Sequence, residues 1–233
     1  NLYKCFLPQA WYFSSNGGVS AFVHPEGIYD DPKGGRLRKA LYPKLRKHFQ
    51  FRNELKLFSE VHHSRVYSLN IYCNRPVASF DSINNLFSTN AVDDCYSGEK
   101  LPLVGIKDEN GAGCTSGSAD RVLCISSKEL ATFGKLFDYE DNWKETKLLA
   151  LHSKQLLNVI KKLAAQDICV GNVPGVYISE MWNETNAQRD GTIKKSVGFP
   201  EKPMGLIMAG SQIGVATPFL KTPRRVCKKN SDF

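Results

Sequence analysis

The most constraining feature of the chain is a five-residue apolar run, Val19-Ser20-Ala21-Phe22-Val23, bracketed by Asn16-Gly17-Gly18 and His24-Pro25-Glu26-Gly27. Asparagine and glycine tolerate the left-handed backbone that ends a helix, so the first bracket closes whatever precedes it. The second contains a proline and a glycine and forces a turn. What lies between is too short for a helix and apolar on both faces, which predicts a buried interior strand paired in parallel. Upstream, Leu2, Cys5, Phe6, Ala10 and Phe13 fall on one face of a helix over 2–13, with Pro8 as a blemish.

Two prolines and three glycines make 24–35 a loop. Leu37, Leu41, Leu45 and Phe49 recur every four residues and predict a helix over 36–49, interrupted at Pro43. Alternation predicts strands at 49–55 and at Val66–Cys73. Helix, strand, loop, helix, strand, strand is half of an open α/β sheet. Residues 76–126 are mixed in character, with one strand at 121–125. Residues 127–166 read as helical, and 154–163 carries the cleanest amphipathic pattern. The expected organisation is a sheet half at 1–75, a spacer or inserted α+β module at 76–199, and the start of a recognition region at 200–233.

Composition narrows function. Hydrophobic residues are 42% and charged residues 23%, which excludes wholesale disorder and low-complexity scaffolds. No run of about 18 apolar residues occurs, so no spanning helix is expected. The N-terminus lacks a signal-peptide pattern, and the chain, which opens on Asn1, reads as part of something larger. Seven cysteines at wide spacings, without a Cys-x-x-Cys pair, point to a reducing cytoplasm with thiols as small buried hydrophobes. A net charge of +8 favours a polyanionic partner. The basic clusters are Arg36, Arg38, Lys39, Lys44, Arg46 and Lys47, then Lys194-Lys195, then Lys221, Arg224, Arg225, Lys228 and Lys229. Phosphate contacts are expected from Arg36, Lys39, Lys221, Arg224 and Arg225, and base-edge contacts from Asn186 and Gln188, set against a solvated tail and a self-capped polar loop.

Other constellations compete. Asp30-Asp31 ahead of Gly34-Gly35 is placed to cap the next helix or to hold a cation. His62-His63 offers a metal pair, although adjacent strand residues face opposite sides. Asp31 with Glu54-Leu55-Lys56 imitates the carboxylates and lysine of a magnesium-dependent nuclease, and Glu145-Thr146-Lys147 repeats the Glu-x-Lys pattern.

Gly17-Gly18, the 19–23 strand, His24-Pro25-Glu26-Gly27, Gly34-Gly35-Arg36 and Leu69-Asn70-Ile71-Tyr72 together resemble the downstream half of the catalytic domain of large restriction–modification N6-adenine DNA methyltransferases of the type IIG kind. Met181-Trp182-Asn183-Glu184-Thr185-Asn186-Ala187-Gln188-Arg189-Asp190-Gly191-Thr192-Ile193 and Lys221-Thr222-Pro223-Arg224 resemble segments that follow that domain. The resemblance implies the C-terminal half of a Rossmann-like sheet and a wall for the target adenine at His24, Pro25 and Glu26. It implies double-stranded DNA as partner, together with the remainder of the methyltransferase or a second copy. The parent enzyme would use S-adenosylmethionine. Neither its glycine-rich loop nor an Asn/Asp-Pro-Pro-aromatic loop occurs here. The isolated chain is therefore expected not to bind S-adenosylmethionine, and micromolar binding in a calorimetric titration would overturn that expectation.

Overall fold

The computed structural model describes residues 2–138, 142–166, 173–175, 183–192 and 194. The chain divides into two compact units, Asn1–Cys169 and Val170–Phe233. The first is a mixed α/β unit built on one five-stranded sheet. Its strands are β1 (Val19–Pro25), β2 (Leu45–Arg52), β3 (Val66–Cys73), β4 (Ser79–Leu86) and β5 (Leu123–Ser126), in the spatial order β1-β3-β2-β4-β5. β3 runs antiparallel to both β1 and β2, β4 is parallel to β2, and β5 is antiparallel to β4. The carboxyl ends of β1, β2 and β4 therefore share one rim.

Helices α1 (Tyr3–Phe13), α2 (Gly27–Asp30), α3 (Gly35–Leu41), α5 (Ser127–Phe133) and α6 (Lys154–Ala164) pack one core with the sheet through Leu7, Trp11, Ile28, Tyr29, Leu41, Leu130, Phe133 and Leu157. A smaller core joins Phe49, Phe51, Tyr67 and Ile83 to Ala91 and Cys95 of α4 (Asn90–Tyr96). In the second unit, α7 (Glu184–Asp190) is capped by the Asn183 side chain, which accepts from the Asn186 amide at 3.0 Å, and closes on left-handed Gly191.

Several expectations are corrected. The 19–23 segment is a strand, but it forms the sheet edge and pairs antiparallel with β3. Val19 and Val23 stay 66% and 53% exposed, pointing to the face opposite the helix-covered side that carries His24. Within α1, the stripe Leu2, Cys5, Phe6 and Phe13 faces outward, while Leu7 and Trp11 point inward. The helix expected over 36–49 ends at Leu41, ahead of Pro43, and Leu45 already belongs to β2. Four-residue spacing satisfies a strand period as well as a helical one, and a bulge between Leu45 and Lys47 completes the ambiguity. The strand expected at 49–55 thus starts earlier and ends at Arg52, with Asn53–Leu55 a 3-10 turn.

The loop expected at 24–35 contains the α2 turn. β4 escaped sequence reading because its polar Ser82, Asn84 and Asn85 are buried. The sheet runs across residue 75 through β4 and β5, so 1–75 is not a separate unit. The span 127–166 holds α5, a π-helical turn at Gly134–Asp138 and α6, with non-helical chain at 146–153. Cys73 and Cys95 are buried as expected, whereas Cys5 and Cys124 are exposed.

Ile83 is fully buried on β4. Ile83→Ala is expected to lower stability by about 2–5 kcal/mol, the usual cost of emptying such a position, read from chemical denaturation.

Candidate functional site

The rim formed by the carboxyl ends of β1, β2 and β4 is where open α/β sheets place ligands, and here it carries a continuous buried polar stripe. Opposed strand residues point to the same face. His24 lies opposite Ser68, which lies opposite Gln50. One pair further along, Asn70 lies opposite His48, which pairs with Ser82 of β4. These six side chains share the helix-covered face, and all are buried. The turn after β1 folds back over them and adds Glu26 and Tyr29.

The hydrogen bonds interlock. The His48 Nε2–H lies 3.3 Å from both oxygens of the Glu26 carboxylate, and Gln50 Nε2 donates to Oε2 at 2.8 Å. His48 Nδ1 meets Ser82 Oγ at 2.9 Å. Tyr29 donates to Asn70 Oδ1 at 2.6 Å, and Asn70 Nδ2 donates to Ser68 Oγ at 2.8 Å. His24 Nδ1 lies 2.9 Å from the Pro25 carbonyl, which can only accept, so this nitrogen carries the proton. His24 Nε2 then accepts from Tyr72 at 3.0 Å. Tyr3 stacks on the His24 ring at 5.7 Å.

Burial pulls the His24 pKa down, against opposing pulls from the Pro25 carbonyl and Glu26. Burial pushes the Glu26 carboxyl up, but the His48 charge and hydrogen bonds from His48, Ser68 and Gln50 outweigh it and hold it below the usual range. Burial drives Tyr29 and Tyr72 well above the ordinary tyrosine range, so both act as neutral donors. The arrangement is a preorganised patch: a carboxylate 14% exposed at its side chain, backed by fixed donors, beside a neutral imidazole.

Among the sequence-predicted residues, His24 and Glu26 come together here and Pro25 sits exposed at the end of β1. Arg36 and Lys39 are exposed on α3, and Lys39 lies 3.9 Å from Glu145. Lys33, Arg36 and Lys147 line an open cavity of about 380 Å³ together with Asp138 and Glu145. Arg38 is buried instead and braces the loop, donating to the carbonyls of Glu145, Ile28 and Asp31. Asp31 caps no helix: the N-cap of α3 is Gly34, without a side-chain cap, and Asp31 binds the Lys4 ammonium and the Lys33 amide.

The nuclease constellation is not assembled. Asp31 pairs with Lys4, Glu54 with Lys107, and Lys56 reaches only carbonyls. The Lys147 ammonium pairs with Asp138. His62 and His63 lie in a loop rather than a strand, so their rings approach to 4.2 Å. Among the described residues, however, no group of three or more metal-ligating side chains forms. Asn186 and Gln188 are exposed on α7, a helix rather than a loop, with Asn186 Oδ1 accepting from Arg189 at 2.9 Å. Lys221, Arg224 and Arg225 lie outside the described residues, as do Lys228 and Lys229.

The turns leaving β1, β2, β4 and β5 run through Glu26, Asn53, Phe87 and Ser126, and none is a Gly-x-Gly cradle at a helix N-terminus.

Sequence reasoning missed His48, Gln50, Ser68, Asn70, Ser82 and Asn84. The available signal was alternation, which assigns the polar side of a strand to water; here helices cover that side. Compared with protein-family models, curated proteins and solved structures, the chain matches none.

The pKa shifts carry a sign. His24 binds fewer protons folded than unfolded just below pH 6.5, and Glu26 does so below 4.5. Both contribute stability that is present at neutral pH and lost on acidification. His152, lowered chiefly by burial, acts in the same direction. The melting temperature is expected to fall as pH drops below 6.5, and His24→Gln should flatten the upper part of that decline. An unchanged slope in the variant would show that His24 is not depressed.

Proposed function

We propose that this chain forms the downstream half of the catalytic sheet of a restriction–modification DNA adenine-N6 methyltransferase, supplying DNA contacts and part of the wall around the target base. The observation that carries the reading is an incomplete sheet. β1 is an edge strand whose outer side pairs with nothing among the described residues, and Val19 and Val23 stand exposed along it. The preceding helix is apolar on two faces: Leu7 and Trp11 are buried, while Phe6 and Phe13 are 53% and 80% exposed. A helix apolar on both sides suits a position between two layers, and an open apolar edge invites strand addition.

A companion segment with the glycine-rich loop and the Asn/Asp-Pro-Pro-aromatic loop would complete the sheet at β1. The rim bearing His24, Pro25 and Glu26 would then border the pocket that receives the flipped adenine. S-adenosylmethionine, held by that companion, would supply the methyl group. This chain's own part is to hold the rim rigid through the Glu26–His48–Gln50 bonds and to keep Tyr29 and Tyr72 as neutral donors. A second reading, a DNA-binding module without catalysis, draws on the exposed Lys33 and Arg36 at the open cavity beside α3.

The test is the gene on the 5′ side of the Asn1 codon. Both missing loops are expected in frame, and the joined protein should methylate adenine, read by mass spectrometry of digested DNA. Amide exchange in β1 should slow in the joined protein. A joined frame without either loop would sink the reading and leave the non-catalytic module.

A further inference from the structure

A second cleft opens near the end of β2, away from the polar stripe. It encloses about 350 Å³ and is lined by Arg52, Glu54, His63, Ser64 and Lys107. Arg52 is fixed rather than free: its Nε donates to Asn85 Oδ1 at 2.9 Å, and its two terminal nitrogens have no partner among the described residues. Lys107 pairs with Glu54 at 2.7 Å, so the cleft's lone carboxylate is already matched and the guanidinium is in excess.

The supports of this cleft are unusually constrained. Among the described residues, Lys56 and Asn85 are the two non-glycine positions in left-handed backbone, at φ 56° and 57°. Both serve the cleft. Lys56 ends the 3-10 turn that follows Arg52, and Asn85 holds the Arg52 side chain. Such conformations cost free energy and persist where surrounding bonds over-determine them. Those bonds are present. The amide of Asn85 donates to Gln50 Oε1, and its carbonyl accepts from fully buried Arg121. The buried Asn53 side chain pins the β2–β3 loop through the carbonyls of Phe58 and Val61 and the amide of Phe58. The fold thus holds a guanidinium fork, an imidazole, a hydroxyl and an ammonium around one opening.

We propose that this cleft binds a phosphate group. A planar fork meets two phosphate oxygens, and the histidine and lysine supply single donors for the rest, the Ser64 hydroxyl being held by His62 Nδ1 at 2.8 Å. The open cleft of about 350 Å³ is larger than one phosphate and leaves room for a phosphate ester. Its source is either a nucleic-acid backbone or a free nucleotide. The backbone source rests on the methyltransferase reading above; phosphate binding itself does not.

The experiment uses the full chain. Inorganic phosphate is titrated while the His63 imidazole resonances are followed by NMR, and labelled duplex DNA is bound over a salt series by fluorescence anisotropy. Saturable His63 shifts are expected, with competition by DNA. The double variant Arg52→Gln/Lys107→Gln should lower the slope of log affinity against log salt by roughly two. A charge-matched control, Lys128→Gln/Lys162→Gln on exposed positions of α5 and α6, should leave the slope unchanged. Arg52→Lys, which keeps the charge and removes the fork, should weaken phosphate binding at unchanged melting temperature. His63 shifts with phosphate but an unaltered DNA slope would uphold the site, make a free nucleotide its ligand and count against the DNA reading. Absence of His63 shifts with phosphate overturns the proposal.

Discussion

The Glu26–His48 pair sets the terms for the rest of the unit. A carboxylate drawn off the surface is tolerated only when its charge and lone pairs are met. Here His48 faces both oxygens and Gln50 takes one of them. His48 is passed on to Ser82 on the next strand. The turn after β1, the centre of the sheet and β4 are therefore held in one register by one set of bonds. The apolar cores on the two faces supply the bulk of the burial, while this stripe specifies which strands lie side by side.

That rigidity contrasts with the open side of the sheet. β1 pairs with β3 along its whole length, yet its other edge has no partner among the described residues, and apolar residues of α1 stand exposed. Phe6, Phe13, Val19 and Val23 stand exposed, in contrast to the hydrogen-bonded Glu26, His48 and Gln50. The proposed site at His24 and Glu26 lies beside that open edge, where a completing layer would wall it in.

Legibility differed by element for physical reasons. The 19–23 strand, Val66–Cys73 and the helix at 154–163 were visible because each has a single period and clear punctuation. The 36–49 span was not, since leucines four apart serve a helix and a strand equally and Pro43 decides between them. β4 was invisible because Ser82, Asn84 and Asn85 look like a polar loop until they are seen to be buried, with Arg121 meeting the backbone carbonyls of Asn84 and Asn85. At the site, His24 and Glu26 were legible from the strand-end turn. Their partners were assigned to solvent, because alternation alone says which side of a strand is polar and nothing about what covers it.

By itself, then, the sequence determined the α/β class, the turn that presents His24 and Glu26, and the positive charge. These follow from local preferences of glycine, proline and alternating side chains, which act over a few residues. Tertiary structure decided the strand order, the edge position of β1 and the burial of the polar stripe. It also decided the pairing of Asp31 and Glu54 with separate lysines. Each of these depends on residues tens of positions apart meeting across the sheet, and strand pairing is set by which distant partners satisfy buried polar groups together, a condition no local pattern encodes.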